Sequence, residues 1–169
     1  MSPSANSTLL EWSVRVRCDE HEIGGSLSVF IFLSNTVPPN PDEWLFERSF
    51  AGTFDLFTSS SYGQARGQAS GEAYATNIAK GFIHINRKYL ELTRQSSLEP
   101  EIVVPYLKQH LSWGADGKVV QLERFTSLEV TVLCTPLELP IGADYPIEGE
   151  PKVYPEITRG RLGGDKSGA

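Results

Sequence analysis

Two ionisable side chains interrupt otherwise apolar runs of this chain: Asp55 between Phe54 and Leu56, and His84 between Ile83 and Ile85. General acid–base chemistry needs only one or two such groups in a dry pocket, so Asp55 and His84 are the candidate catalytic residues. Phe54, Phe57, Tyr62 and Phe82 lie close to them in sequence and would line the substrate site. The competing reading for Asp55 and His84 is the wet face of a strand, which is the default for a charged residue in an alternating pattern. Arg15 and Arg17 flank Val16 and face either a pocket or solvent, with solvent again the default. Glu129 reads as the wet face of a late strand.

Other chemistries find no support. The chain has three histidines, His21, His84 and His110, none at the i, i+4 spacing that would gather them on one helix face, so no metal site is expected. GQARGQASG lacks the Lys-Ser/Thr ending of a phosphate loop, and no G-x-S-x-G elbow occurs. Neither cysteine neighbours a histidine in sequence. Cys18 and Cys134 both fall on apolar strand positions and read as buried reduced thiols; a disulfide would require their two strands to be neighbours. No cofactor is implied.

These residues need strands to hold them. In residues 9–33 two strands meet at Gly24-Gly25. Trp12, Val14, Val16 and Cys18 alternate with Ser13, Arg15 and Arg17, a period of two with one buried face. Leu27, Val29, Ile31 and Leu33 interleave with Ser26, Ser28, Phe30 and Phe32, so the second strand is covered on both faces and central in its sheet. SNTVPPNPDE (34–43) is a surface loop, 44–57 is expected to be extended despite the near-helical spacing of its phenylalanines, and 58–73 is a mobile Ser/Gly/Gln loop. Residues 78–86 form a strand, NRKYLEL a helical turn, and 101–111 a helix that tolerates Pro105 in its first turn. A hairpin at Asp116-Gly117 and a last strand over 127–139 complete the count.

About seven strands with one or two short helices predict an all-β, single-domain sandwich or barrel over residues 9–140. Residues 1–8 would be a flexible N-terminus and 141–169 a wrapped or loose tail. A net charge of −6 and a pI near 5.1 argue against nucleic acid or anionic membrane as partners. No apolar run reaches transmembrane length, and MSPSANSTLL lacks a basic n-region and apolar h-region, so a cytoplasmic location is expected.

Five segments together resemble a known family. They are the EW-x-V-x-V strand followed by GGS-L-SV-x-x-FL; Trp44 with Phe50-Ala51-Gly52-Thr53 and Phe57; GFIHIN; VVPYLKQHLSW; and YPEITRGRLGG at 154–164. In this order they are similar to the C-terminal domain of fungal tyrosinases (polyphenol oxidases), here without the copper-binding catalytic domain. The resemblance implies a β-sandwich or barrel that packs over a copper site, like the corresponding domain of molluscan haemocyanins. The family's phenol oxidation uses six histidines of the other domain, which this chain cannot supply. Many members carry a C-x-x-C pair for copper loading in the loop after the Phe57 position; the aligned SSSYGQARGQAS has no cysteine, which argues against copper delivery. The family's tail domain also inserts an aromatic side chain into the mouth of the active site. Phe57 is the matching position, with Phe54 and Tyr62 as neighbours able to serve instead, against the plainer reading of Phe57 as a core aromatic.

Two functions follow as expectations. The first is a repurposed domain that binds a small hydrophobic or phenolic metabolite and acts as a cofactor-independent cyclase or isomerase, of pericyclase or dehydratase type, in fungal secondary metabolism; it needs an aromatic-lined interior. The second is a non-catalytic accessory protein that shields or assembles a tyrosinase-like copper oxidase in trans; it needs an exposed aromatic patch around Phe57 and Tyr62.

Overall fold

The longest strand, β1 (Ser7–Asp19), sits at the centre of the larger sheet because its apolar parity is unbroken: Trp12, Val14, Val16 and Cys18 are all buried. A single helical turn, α1 (Glu20–Ile23), is capped by the Asp19 carboxylate on the His21 N–H and ends at Gly24 in the left-handed region, φ 59°. It delivers the chain to β2 (Ser26–Leu33) in a second sheet. The computed structural model describes residues 7–57, 77–115 and 122–168. Tyr62, the 58–73 loop and the Asp116-Gly117 hairpin lie outside the described residues.

The remaining elements are β3 (Phe50–Phe57), β4 (Ile78–His84), α2 (Asn86–Thr93), α3 (Pro100–His110), β5 (Leu111–Ala115), β6 (Glu129–Leu139) and the short β7 (Ile147–Glu148) and β8 (Lys152–Val153). One sheet runs β4-β1-β6-β7, with β8 also on β6, and the other runs β3-β2-β5. The architecture is the expected all-β sandwich, with β2 in the middle of its sheet. Two inward apolar faces meet in one core, in which Val14, Val16, Val29, Ile31, Ile85, Leu107, Val130 and Val132 are fully buried. At one side the sheets approach until a Cβ on Gly52 of β3 would stand 2.6 Å from Ile83 Cγ2 of β4.

Two local expectations are corrected. Residues 41–46 form a 3-10 turn instead of continuing the extended segment, with Pro41 at its start and Asn40 capping the Asp42 N–H. The turn drives Trp44 onto the outer face of the second sheet, where its indole lies edge-on to Phe30 and Phe32 and donates to the Pro38 carbonyl at 2.8 Å. A Cβ on Gly114 would meet the indole at 2.6 Å, so this glycine makes room for it. Helix α3 begins at Pro100, which puts Pro105 in the second turn and removes one backbone hydrogen bond there.

The GFIHIN segment has a specific job at the sheet's corner. Where β4 gives way to α2, the Asn86 side chain accepts from the Trp12 N–H at 2.7 Å and donates to the Leu10 carbonyl at 2.8 Å. An amide side chain thus extends the β1 ladder past the strand's end.

The segment after Pro140 is wrapped. β7, β8 and then Gly163, whose carbonyl accepts from the Val130 N–H at 2.8 Å, follow β6 on the side away from β1. The PEIT-x-GR-x-GG sequence closes this run. Thr158 is fully buried, donates to the Val130 carbonyl at 2.7 Å and accepts from the Asp165 N–H at 3.1 Å. Arg161 lies 4.2 Å over the Trp113 ring, and the Trp113 indole N–H donates to the Leu162 carbonyl. Gly164 leaves no space for a Cβ against the Thr158 carbonyl.

Candidate functional surface

On β3, residues alternate between the core and the outer face according to their β2 partners. Gly52, Phe54 and Leu56 oppose Ile31, Val29 and Leu27, all inward; Thr53, Asp55 and Phe57 oppose Phe30, Ser28 and Ser26. Phe54 therefore turns inward and lies against Gly81 of β4, close enough that a Cβ there would enter its ring. Asp55 turns outward and is held by the Ser28 hydroxyl at 2.6 Å and the Thr53 hydroxyl at 3.3 Å. Phe57, at the end of the strand, is 81% exposed.

His84 and Phe82 belong to the other sheet. Both point away from the core, Phe82 at 48% exposure, while their neighbour Ile83 is buried. His84 Nδ1 lies 3.1 Å from Ser13 Oγ and 3.2 Å from Glu11 Oε1. A hydroxyl, an imidazole and a carboxylate in contact suggest a nucleophile relay, but a relay needs the hydroxyl and the carboxylate on opposite ring nitrogens. Here both address Nδ1, and the group is a polar clasp between β1 and β4.

Asp55 and His84 thus stand on the outer faces of two different sheets. Phe54 is half-buried against the core, Phe57 and Phe82 are outside it, and Tyr62 lies beyond the described residues. The inward positions between the sheets carry packed Val, Ile, Leu and Trp side chains.

The histidines are equally dispersed. His21 is in α1, and His110 ends α3 with its ring stacked on Tyr106 at 4.4 Å. Among the described residues no three His, Cys, Asp or Glu side chains gather at metal-binding spacing, and this donor set does not fit a copper centre.

Both cysteines are buried and free. Their strands are neighbours, yet Cys134 pairs with Trp12, six residues from Cys18 along β1, roughly 20 Å at the rise of a strand and far beyond disulfide reach. Burial pushes both thiols up to about 11; Glu20, Glu22 and Asp19 add to the effect at Cys18, and Glu99 adds to it at Cys134. Such thiols are poor nucleophiles and poor metal ligands.

Sequence reasoning missed two features. Phe46, on the 3-10 turn, is 86% exposed; the regular spacing of the phenylalanines hid its separation from Phe50 of β3. Arg15 and Arg17, which the sequence left between a pocket and solvent, line an open polar hollow of about 390 Å³ with Ile78 and Lys80, and Arg17 keeps 41% of its side chain exposed. Glu129 is mostly covered and lies 3.5 Å from Arg15 and 3.9 Å from Arg17.

Comparison with known proteins accounts for this arrangement at the level of the fold. A tyrosinase from Neurospora crassa is 28% identical over 157 residues, which cover 89% of this chain and 23% of the relative. The chain therefore spans about a quarter of that protein's length. Recombinant mushroom tyrosinase superposes with a TM-score of 0.65 at 18% identity, over 90% of this chain and 26% of the other. Mushroom tyrosinase with latent and active forms in a single crystal gives 0.66 at the same identity and coverage. At that identity the likeness speaks for the fold. The family model described as the tyrosinase C-terminal domain matches residues 11–132, most of the length, and the chain belongs to that family.

Proposed function

We propose that this chain is a covering domain for a tyrosinase-type copper oxidase and that Phe57 is the side chain it presents to the phenol site. The observation that carries the reading is the exposure of Phe57 at the end of β3, on an outer face whose other end is already covered by Trp44. An exposed benzyl group gains about 1.5–3 kcal/mol when it is buried in a partner. It matches a phenol in shape but has no hydroxyl to approach copper, so it would fill the site without being turned over. The Ser28–Asp55–Thr53 hydrogen bonds stiffen the strand beside it, which lowers the entropy lost on docking. The alternative of a metabolite-shaping interior asks for convergent aromatic and ionisable groups around a void; Phe54 packs on Gly81, while Asp55, His84, Phe57 and Phe82 face outward on different sheets.

The test is inhibition in trans. The purified chain is titrated into the isolated copper domain of a tyrosinase while catechol oxidation is followed. Saturable inhibition is expected, weakened about tenfold or more by Phe57→Ala, equivalent to 1.4 kcal/mol or more of lost contact. Phe46→Ala, on the 3-10 turn that precedes β3, should inhibit like the parent chain. Absence of inhibition at the highest soluble concentration, or equal inhibition by Phe57→Ala, would sink the proposal.

A further inference from the structure

We infer that the outer face of β1 and β4 carries a binding site for a multivalent oxyanion of the phosphate type. Strand register assembles it: Arg15 is opposite Phe82 and Arg17 is opposite Lys80 across the β1–β4 pair, while Arg17 is opposite Glu129 across β1–β6. Side chains two apart on a strand share a face about 6–7 Å apart, so the two guanidinium groups and the Lys80 ammonium form a triangle around one hollow. That hollow is the cavity of about 390 Å³ lined by Arg15, Arg17, Ile78 and Lys80.

The charges in this triangle are not balanced. One carboxylate, Glu129, serves both arginines at 3.5 and 3.9 Å, so among the described residues it leaves most of their guanidinium N–H groups without a carboxylate partner. Arg15 Nε is buried with no hydrogen-bond partner among the described residues, a donor left unsatisfied at the wall of the hollow. Lys80 rests its ammonium 5.8 Å from the Phe82 ring centroid. Among the described residues three cations face Glu129, with Asp19 further along the same face of β1 and turned to cap α1, so net positive charge is left for a phosphate-type anion, and a tetrahedral ligand offers oxygens in the directions the triangle requires. The site is also unexpected from net charge, since the whole chain carries −6.

The experiment is an NMR titration of the full chain with sodium phosphate, against sodium chloride at equal ionic strength. It follows the backbone amides of β1 and β4 and the side-chain Nε–H of Arg15. Saturable shifts with phosphate alone are expected, with affinity weakened about tenfold or more in Arg17→Met/Lys80→Met, whose mutated side chains are solvent-accessible enough to change without loss of fold. Phenyl phosphate distinguishes the sources. Tighter binding than inorganic phosphate assigns the site to an organic phosphate that reaches Phe82, and equal binding assigns it to the free anion. The inference is overturned if chloride reproduces the shifts, if the double variant binds as well as the parent, or if only an acidic peptide binds.

Discussion

Asp165→Ala should loosen the segment that closes β6, and the size of the effect follows from what the carboxylate holds. Its side chain is 1% exposed. It accepts from Thr131 Oγ at 2.8 Å, from the Ser167 N–H at 2.9 Å and from the Ser167 hydroxyl, with Arg159 at 3.8 Å. A hydrogen bond to a charged group contributes about 1.5–3 kcal/mol, and the buried Thr131 hydroxyl would keep only a long contact to Glu129. The expected loss is about 2–4 kcal/mol, or roughly 5–15 °C in melting temperature for a domain of this length. The pH dependence tests the cause. Burial by itself would raise the Asp165 pKa; the Ser167 and Thr131 bonds and Arg159 outweigh it and hold it below the usual carboxylate range. A depressed folded pKa gives stability that is fully present above the unfolded value, near 3.9, and is lost as pH falls through the folded one. Thermal melts should therefore show the full gap between parent and variant at pH 7 and a shrinking gap below about pH 4. A drop under about 2 °C, or a gap unchanged at pH 3, would refute this account of the clamp.

Other perturbations read different parts of the fold. Gly81→Ala pushes a methyl group into the Phe54 ring, and denaturant melts should register a loss of about 1–3 kcal/mol. Cys18 and Cys134 should resist iodoacetamide at pH 8 in the native state and react on unfolding; fast labelling without denaturant would contradict their burial. Because both thiols are raised from 9.0 to about 11, their contribution to stability is intact below pH 9 and is lost as pH rises toward 11, so denaturation midpoints should fall across that window. A double Cys→Ser chain with the same alkaline slope would show that other groups, such as the buried Tyr89 whose pKa is also raised by burial, control it.

The parts of the fold legible in the sequence were those governed by parity. Trp12 to Cys18 and Leu27 to Leu33 alternate or cover both faces as their positions in the two sheets require. Parity tells which face a residue takes but not which sheet its strand joins, so Asp55 and His84 looked like partners and stand on opposite outer faces. The Arg15–Arg17–Lys80 hollow depends on the β1–β4 register, a pairing between residues more than sixty apart that no local pattern encodes. The 3-10 turn at Trp44 was hidden because the regular spacing of the phenylalanines spans two different elements. The PEIT-x-GR-x-GG run carried its signal only as a resemblance. Its physical reason, a glycine pressed on the Thr158 carbonyl and a threonine bridging to Val130, exists only once the chain has returned to β6.

That return has a consequence for the chain's behaviour in solution. β6 is apolar on its inner face and rich in β-branched residues, the kind of strand that recruits others when its backbone N–H and C=O groups are unpaired. β7, β8 and the Gly163 carbonyl occupy that ladder in short pieces, each too brief and too irregular to extend the sheet itself. The closing segment thus works as a guard on a sticky border, keeping one copy of this sheet from zipping onto the next.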